Sequence, residues 1–357
     1  MRKNRVVRVG AVALLLTSGV LMSRGNVKWL ERDYDFGLMK EIAGPKTGRS
    51  RFVNMGPDTI SIFNVRPSCG CTSAEWPEEA LAPGDTATVR YTYDPDMRPG
   101  KFDKSVKVQL SDGSRHVIRI TGNVLGTPES LSTLYPLEAG SLRLSEVKVD
   151  MGEVVKGHNP IAFVNAYCLS GDSVVPEVKT TVKGLRVTPS VPKAGPGDLI
   201  TYTLEYSMRD AQYGPVEGEI LFSTGGGEAT GLPWKAFVLP NPDLLVAAGQ
   251  GKNPYCEVRP DPIDFGVQTE GAGKITTEIT VTNTGKGPLE IYRILCDSPA
   301  VEVQTPSKPV KAGKNVKLKV TLDTGQLAEG PARIPLTLIT SDPLHTRIIL
   351  PISVYRQ

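Results

Sequence analysis

One spacing recurs three times along the chain, in which an asparagine is followed 30 residues later by a glycine. The three pairs are Asn54 and Gly84, Asn165 and Gly195, and Asn283 and Gly313. Asparagine and glycine between apolar stretches mark turns, because the asparagine amide bonds nearby backbone and glycine accepts a positive φ at little cost. The repeat indicates tandem copies of one small domain, and 357 residues suffice for two or three of them.

A strand pattern follows each of these glycines. Apolar residues alternate with polar ones, which is typical of a strand with one face buried and the other in water. The apolar members are Ala87, Val89, Tyr91 and Tyr93 in the first copy, Ile200, Tyr202, Leu204 and Tyr206 in the second, and Val316, Leu318, Val320 and Leu322 in the third. No amphipathic helix is predicted after the N-terminal leader. The pattern predicts an all-β chain of three tandem immunoglobulin-like β-sandwich domains.

Proline and glycine cluster at residues 125–128 and again at 240–254, which we interpret as linkers. The predicted domains are then residues 26–126, 141–240 and 256–357. The Cys-Trp-Cys framework of antibody domains is absent, so the predicted likeness is one of architecture.

The first 25 residues have the composition of an export signal. Arg2, Lys3, Arg5 and Arg8 precede an uncharged, largely apolar stretch over residues 9–23. A basic region followed by a short apolar region predicts a signal peptide, with an uncleaved inner-membrane anchor as the alternative, although a spanning helix needs about 20 apolar residues. We therefore expect an exported protein, in the periplasm or at the cell surface.

The formal net charge of +3 comes from this leader, because no acidic residue precedes Glu31. The rest of the chain is close to neutral, so it offers no electrostatic reason to bind nucleic acid. Contact with a membrane is expected only through residues 9–23, if they are not cleaved.

The first copy carries four short motifs in a fixed order. They are Asp35-Phe36-Gly37, Asn54-Met55-Gly56, Ser68-Cys69-Gly70-Cys71-Thr72 and Pro83-Gly84. With these motifs the segment 33–125 resembles a family of exported bacterial proteins of unknown function, which is similar to the ASH/MSP/Hydin-type immunoglobulin-like domains. The resemblance implies export and an immunoglobulin-like fold, and it implies no activity.

The third copy, residues 256–356, keeps a weaker form of this pattern. Its matching residues are Asp264, Phe265, Gly266, Asn283, Gly285 and Gly313, and Cys296 stands near the position of the cysteine motif. The second copy has Asp150-Met151-Gly152 but lacks the phenylalanine, the glycine after Asn165 and the cysteine pair. Whatever Cys69 and Cys71 do is therefore expected only in the first copy.

The chain has five cysteines, and an odd number leaves at least one of them unpaired within the chain. In an oxidising compartment Cys256 and Cys296 can pair, while Cys168 is expected to be a small buried apolar residue. Three roles stay open for Cys69 and Cys71. They are a structural role in pinning the loop, a thiol or metal site for Cu(I) or zinc, and a bridge to another molecule.

Catalytic motifs are missing from the sequence. His116, His158 and His345 share no motif, and Ser111 and Asp112 with His116 fit a polar hairpin turn better than a catalytic triad. We predict that the protein is not an enzyme and holds no cofactor and no metal.

The favoured function is that of a non-enzymatic binding or scaffold protein of the cell envelope. Its immunoglobulin-like modules would dock an envelope protein or a surface glycan through loops and sheet edges. The alternative is a thiol- or metal-handling factor that uses Cys69 and Cys71. Replacing both cysteines by serine and measuring partner capture separates the two.

Overall fold

The computed structural model describes residues 26–357, and the predicted leader lies outside these residues. Nearly all regular structure in the described part is β-strand, arranged in six sheets, two for each copy of the repeat. The predicted all-β sandwich architecture is thereby confirmed. None of the helices within residues 26–357 is long and apolar enough to cross a membrane.

The first sandwich contains eight strands. They are β1 (Val27–Glu31), β2 (Tyr34–Lys40), β3 (Lys46–Asn54), β4 (Ile62–Pro67), β5 (Thr72–Glu75), β6 (Thr86–Tyr93), β7 (Gly100–Leu110) and β8 (Arg115–Leu125), with a 3₁₀ turn at Glu41–Ala43. One sheet has the order β1-β3-β6-β5 and the other the order β2-β8-β7-β4. Phe52, Tyr91 and Tyr93 are among the largest side chains fully buried in its core.

The second sandwich contains nine strands. They are β9 (Leu137–Ala139), β10 (Leu142–Leu144), β11 (Val149–Val155), β12 (Ile161–Cys168), β13 (Pro176–Thr180), β14 (Leu185–Pro189), β15 (Leu199–Tyr206), β16 (Gly214–Thr224) and β17 (Thr230–Leu239). The sheet orders are β14-β15-β12-β10-β9 and β11-β17-β16-β13. Trp234, Tyr202 and Tyr206 are the bulkiest members of the core.

The third sandwich contains eight strands. They are β18 (Cys256–Arg259), β19 (Ile263–Gln268), β20 (Lys274–Asn283), β21 (Ile291–Cys296), β22 (Val301–Val303), β23 (Asn315–Asp323), β24 (Gly330–Thr340) and β25 (Arg347–Arg356), with a 3₁₀ turn at Thr324–Gln326. The sheet orders are β18-β20-β23-β22 and β19-β25-β24-β21. Its core is aliphatic, with residues such as Ile279, Leu336 and Ile352 fully buried.

Two short helices join the sandwiches, α1 (Pro128–Leu134) and α2 (Pro242–Gly249). The sequence pattern, which predicts no amphipathic helix after the leader, does not indicate these two helices. Helices of two turns are too short to display a helical period, and each is set by its first residues. Thr127 and Asn241 accept backbone hydrogen bonds as N-caps, and a proline follows each of them.

The Asp-x-Gly motif forms the same turn in all three sandwiches. The aspartate carboxylate accepts a hydrogen bond from the glycine N–H in Asp35-Phe36-Gly37, Asp150-Met151-Gly152 and Asp264-Phe265-Gly266. The three glycines have φ of +65°, +64° and +66°, a conformation that other L-residues rarely adopt. In the second and third sandwiches the motif shifts the register of the parallel pairing of β11 with β17 and of β19 with β25. The motif is a β-bulge in the strand that pairs with the last strand of each sandwich.

A fully buried asparagine ties three segments of the first sandwich together. The Asn54 side-chain amide donates to the carbonyls of Asp58 at 2.8 Å and Leu81 at 3.0 Å, and its Oδ1 accepts from Gly56 N at 3.0 Å. The backbone carbonyl of Asn54 accepts from Gly84 N at 2.8 Å. This last bond is the physical reason for the spacing of 30 residues.

Asn283 repeats the arrangement in the third sandwich. Its amide donates to the carbonyls of Gly287 and Val310, both at 2.8 Å, and its Oδ1 accepts from Gly285 N at 3.1 Å. The Asn283 carbonyl accepts from Gly313 N at 2.8 Å. We call this set of contacts the asparagine anchor.

The second sandwich places Cys168 where the other two place asparagine. The Cys168 carbonyl accepts from Gly197 N at 3.0 Å, and its thiol lies 3.9 Å from the carbonyl of Ala194. Asn165 lies three residues earlier, on the exposed face of β12, and Gly195 lies two residues before the turn glycine. The alignment of Asn165 and Gly195 with the other pairs is therefore wrong, whereas the predicted burial of Cys168 is confirmed.

The described residues form two compact units. One comprises the described residues up to Gly37 with Gly44–Pro95 and Phe102–Gly122, and the other comprises Leu38–Ala43, Asp96–Lys101 and Asn123–Gln357. The second and third sandwiches lie in the same unit, so contacts between them are internal to one compact body.

Replacing Asn283 with alanine is expected to lower the free energy of unfolding by about 2–4 kcal/mol, because buried backbone groups lose their partners. Urea unfolding of the chain measures this loss. Asn315→Ala, at the exposed start of β23, is the matched control and should change stability by less than about 0.5 kcal/mol. Equal stability of the two variants would contradict the asparagine anchor.

Candidate functional site

Cys69 and Cys71 lie in the loop where the chain leaves β4 in one sheet and enters β5 in the other. Their sulfurs are joined in a disulfide, with the two Cα atoms 5.3 Å apart. Cys71 is buried, Cys69 is half-buried and Gly70 is exposed. The bridge fixes the loop at the point where the chain changes sheets.

Polar contacts hold the same loop on both sides of the bridge. Ser68 N donates to Ser105 O on β7 at 2.8 Å, and Ser105 N donates back to Ser68 Oγ at 3.0 Å. Thr72 Oγ1, at the start of β5, lies 3.5 Å from Cys69 Sγ. These contacts connect the loop that holds the disulfide to β7 in one sheet and to β5 in the other.

The metal chemistry considered for this pair requires a different oxidation state. Thiolates bind Cu(I) and zinc, and two sulfurs bonded to each other are not thiolates. Within residues 26–357 no group of three or more His, Cys, Asp or Glu side chains is arranged to hold a metal ion. The contacts around the loop favour the structural role.

The third sandwich builds the same crossover without a bridge. In the first sandwich Asp94 N donates to Cys71 O at 2.9 Å, and in the third Asp323 N donates to Ala300 O at 2.8 Å. Ala300 therefore stands in the place of Cys71. Cys296 lies four residues earlier, at the end of β21, so it does not occupy a position of the cysteine motif.

Cys168, Cys256 and Cys296 are free thiols. Cys256 and Cys296, for which the sequence left a disulfide open, are not bonded to each other: Cys256 begins β18 in one sheet and Cys296 ends β21 in the other. Burial raises the pKa of the Cys256 thiol to about 12, so it stays protonated and unreactive at neutral pH.

The signature residues are spread through the first sandwich and do not converge on one surface. Phe36 is buried in the core against Tyr91, and the predicted turn at Pro83 and Gly84 is present, with Gly84 at φ +90°. In the third sandwich Phe265 is only partly buried. The positions of these residues explain the signature as a requirement of the fold.

The hairpin around His116 does not assemble a triad. Ser114 Oγ lies 3.2 Å from His116 Nε2, but the Asp112 carboxylate accepts from Ser114 N at 2.9 Å and Asn26 Nδ2 at 3.4 Å. Burial, followed by the charge of Arg32, lowers the pKa of His116. The imidazole is thus neutral, and within residues 26–357 it donates no hydrogen bond to a carboxylate of the kind that orients a catalytic histidine.

The third sandwich packs on the second through a cation–π contact that no sequence pattern indicated. The guanidinium of Arg347, the first residue of β25, lies 4.2 Å from the ring centre of Phe237. Arg347 also pairs with the carboxylate of Glu153, which is the cross-strand neighbour of Phe237. A cavity of about 710 Å³ lies beside this contact and is lined by both sandwiches.

A second contact joins the same two sandwiches. The rings of Tyr213 and Tyr292 are 4.7 Å apart, and Arg293 Nη1 donates to Tyr213 O at 2.6 Å. Lys156 Nζ lies 4.6 Å from the ring centre of Tyr213. Tyr292 occupies the bulge of β21, where the register shifts between Ile291 and Arg293. Aromatic and cationic side chains at such a contact fix the orientation of the two sandwiches.

An apolar patch is exposed on the outer face of β12. Ile161 is 57% exposed and Phe163 is 60% exposed. β12 pairs with β15 along its length on one side, whereas β10 covers its other side only from Ala166 to Cys168. The half of the strand that carries Ile161 and Phe163 is therefore also an open sheet edge within the described part of the second sandwich.

The structure is that of an all-β protein of tandem sandwiches. Its described surfaces are the contact between the second and third sandwiches and the exposed edge of β12. A family model described as a protein of unknown function (DUF1573) matches residues 27–124 and 256–349, more than half of the chain. The chain belongs to this family, and the two matches are its first and third sandwiches. No curated protein matches the chain.

Solved structures resemble the chain only weakly. A protein of unknown function from Porphyromonas gingivalis W83 has 12% identity and a TM-score of 0.44, covering 60% of this chain and 100% of that one. The CupB2 chaperone of Pseudomonas aeruginosa has 10% identity and a TM-score of 0.23, covering 58% and 98%. The periplasmic chaperone SfaE has 11% identity and a TM-score of 0.23, covering 60% and 99%. Scores at this level assign no function.

Replacing both Cys69 and Cys71 with serine is expected to leave the chain folded but to lower the stability of the first sandwich by about 1–2 kcal/mol. A bridge across one residue closes a very small ring and removes little entropy from the unfolded chain. Thermal unfolding measures the loss, with Cys296→Ser as the control for a cysteine outside the bridge. Loss of stoichiometric copper or zinc in the double variant would contradict the structural role.

Proposed function

We propose that the protein is a non-enzymatic binding or scaffold protein of the cell envelope. The observation that carries the proposal is the exposed pair Ile161 and Phe163 on an open sheet edge. Large apolar side chains beside unpaired strand backbone form a surface to which an extended segment of a partner can add as a further strand. Backbone hydrogen bonds would hold such a segment, and the two apolar side chains would select its sequence.

The edge lies on a body suited to a scaffold. The contacts of Arg347 and Tyr213 hold the second and third sandwiches in one compact unit, so the β12 edge is presented on a fixed support. A preorganised surface loses less conformational entropy on binding than a mobile one. These features support a role in docking an envelope protein, and they support a surface glycan less, because the patch is apolar.

Export is part of the proposal. The composition of residues 1–25 is that of a signal peptide, and the Cys69–Cys71 disulfide is typical of an oxidising compartment. Mass spectrometry of envelope fractions is expected to find a chain that lacks about the first 23–25 residues. An intact N-terminus in the cytoplasm would contradict export, and an intact one in the inner membrane would favour the anchor.

Replacing Phe163 with serine is expected to weaken capture of the envelope partner by about tenfold, because a partly exposed aromatic anchor is lost. Affinity capture from envelope extracts, quantified by mass spectrometry against wild type, measures the effect. Leu344→Ser is the matched control, since Leu344 is an exposed apolar side chain on a hairpin turn of the third sandwich. A partner that is captured equally by both variants docks elsewhere, and this would overturn the proposed edge.

A further inference from the structure

The contact between the second and third sandwiches uses two faces that the repeat duplicates. The second sandwich supplies a groove, in which Phe237 and Glu153 receive Arg347, and the third supplies an inserting face that carries Arg347 and Tyr292. Because every sandwich has the same strand order around these positions, each also has a counterpart of both faces. These counterparts include a groove on the third sandwich and an inserting face on the first, neither of which takes part in this contact.

The open groove is on the third sandwich. Asp150 pairs in register with Lys235 and Glu153 with Phe237 in the second sandwich, and Asp264 pairs with Ser353 and Val267 with Tyr355 in the third. Tyr355 thus takes the place of Phe237. Val267 is 61% exposed and Tyr355 47% exposed, and they line a groove of about 480 Å³.

The free inserting face is on the first sandwich. Phe63 stands at the register shift of β4 between Ile62 and Asn64, where Tyr292 stands in β21, and its side chain is 71% exposed. Arg115 is the first residue of β8, as Arg347 is of β25, and it is also exposed.

We propose that copies of this chain associate head to tail, with the inserting face of the first sandwich of one copy docked in the groove of the third sandwich of the next. The guanidinium of Arg115 then lies over the ring of Tyr355, as Arg347 lies over Phe237. Phe63 lies where Tyr292 lies in the internal contact. The proposal goes beyond a binding role in the envelope and does not depend on it.

Charge distinguishes a second copy from an unrelated partner. The inserting face adds the exposed side chains of Arg66 and Lys107, which are cross-strand neighbours, to the charge of Arg115. The lining of the groove holds one exposed acid, Asp264, and one exposed base, Arg333. Two further exposed acids are Glu329 and Glu270, and Glu270 stands in register where Lys156 stands in the second sandwich. Glu329 precedes Gly330 as Tyr213 precedes Gly214, and the two glycines have φ of +104° and +101°. Glu329 therefore stands where Phe63 would approach. The two faces are complementary in sign, which favours their encounter and orients it.

The contact joins two different faces, so it is heterologous. A bound pair leaves the groove of one copy and the inserting face of the other free, and association continues into an open chain unless the rotation closes a ring. This geometry predicts a result that a two-fold dimer cannot give.

Sedimentation velocity of the full chain over a range of concentrations tests the proposal. The wild type is expected to sediment faster as its concentration rises. Arg115→Glu on the inserting face and Tyr355→Ser in the groove are each expected to weaken this self-association by about tenfold, because the cation–π contact is lost. Both side chains are exposed, so circular dichroism and thermal unfolding should match the wild type.

The most discriminating measurement is sedimentation of a mixture of the Arg115→Glu and Tyr355→Ser variants. The Arg115→Glu copy keeps its groove and the Tyr355→Ser copy keeps its inserting face, so the mixture is expected to form heterodimers and to stop there. Leu344→Ser and Phe163→Ser should associate as the wild type does, which separates this contact from the proposed partner edge. A wild type that stays monomeric, single variants that associate normally, or a mixture that does not form heterodimers would each overturn the proposal.

Discussion

The asparagine anchor is the constraint on which the first and third sandwiches depend. Each sandwich must pass its chain from one sheet to the other, and backbone groups at the crossing need partners away from water. Asn54 and Asn283 meet that need with a side chain that both donates and accepts, while their carbonyls hold the turn glycine 30 residues away. The second sandwich keeps the backbone bond and replaces the amide by the thiol of Cys168.

Because the chain passes between the two sheets at the same point in each sandwich, the paired strands near its start and end have equivalent exposed faces in all three. The Asp-x-Gly bulge places the strand that pairs with the last strand, and that pair forms the groove in which Phe237 receives Arg347. The interface between the second and third sandwiches is thus a consequence of the repeat. So are the groove at Tyr355 and the exposed Phe63, on which the proposed self-association rests.

The sequence predicted the fold class because the relevant signals are local. Alternation and turn glycines need only neighbouring residues, and they placed the strands after Gly84 and Gly313 correctly. The sequence aligned Asn165 with Asn54 and Asn283, whereas Cys168 occupies that position in the second sandwich. A thiol there gives no sequence signal that resembles asparagine. The two helices were not predicted, because in each the sequence marks only the N-cap residue and the proline that follows it. The contact faces could not be predicted, because Arg347 and Glu153 meet only after both sandwiches have folded.

The central claim is that the second and third sandwiches form one oriented body through the contacts of Arg347 and Tyr213. The most direct test is the distance distribution between spin labels at Thr188 on β14 and Lys319 on β23, two exposed positions on different sandwiches, measured by pulsed electron resonance after the free cysteines are replaced. We predict a single narrow distribution that broadens when Arg347 and Tyr292 are replaced by alanine. The claim would be contradicted if the distances between the labels were broadly distributed in the protein that keeps Arg347 and Tyr292, and if the replacements left that distribution unchanged.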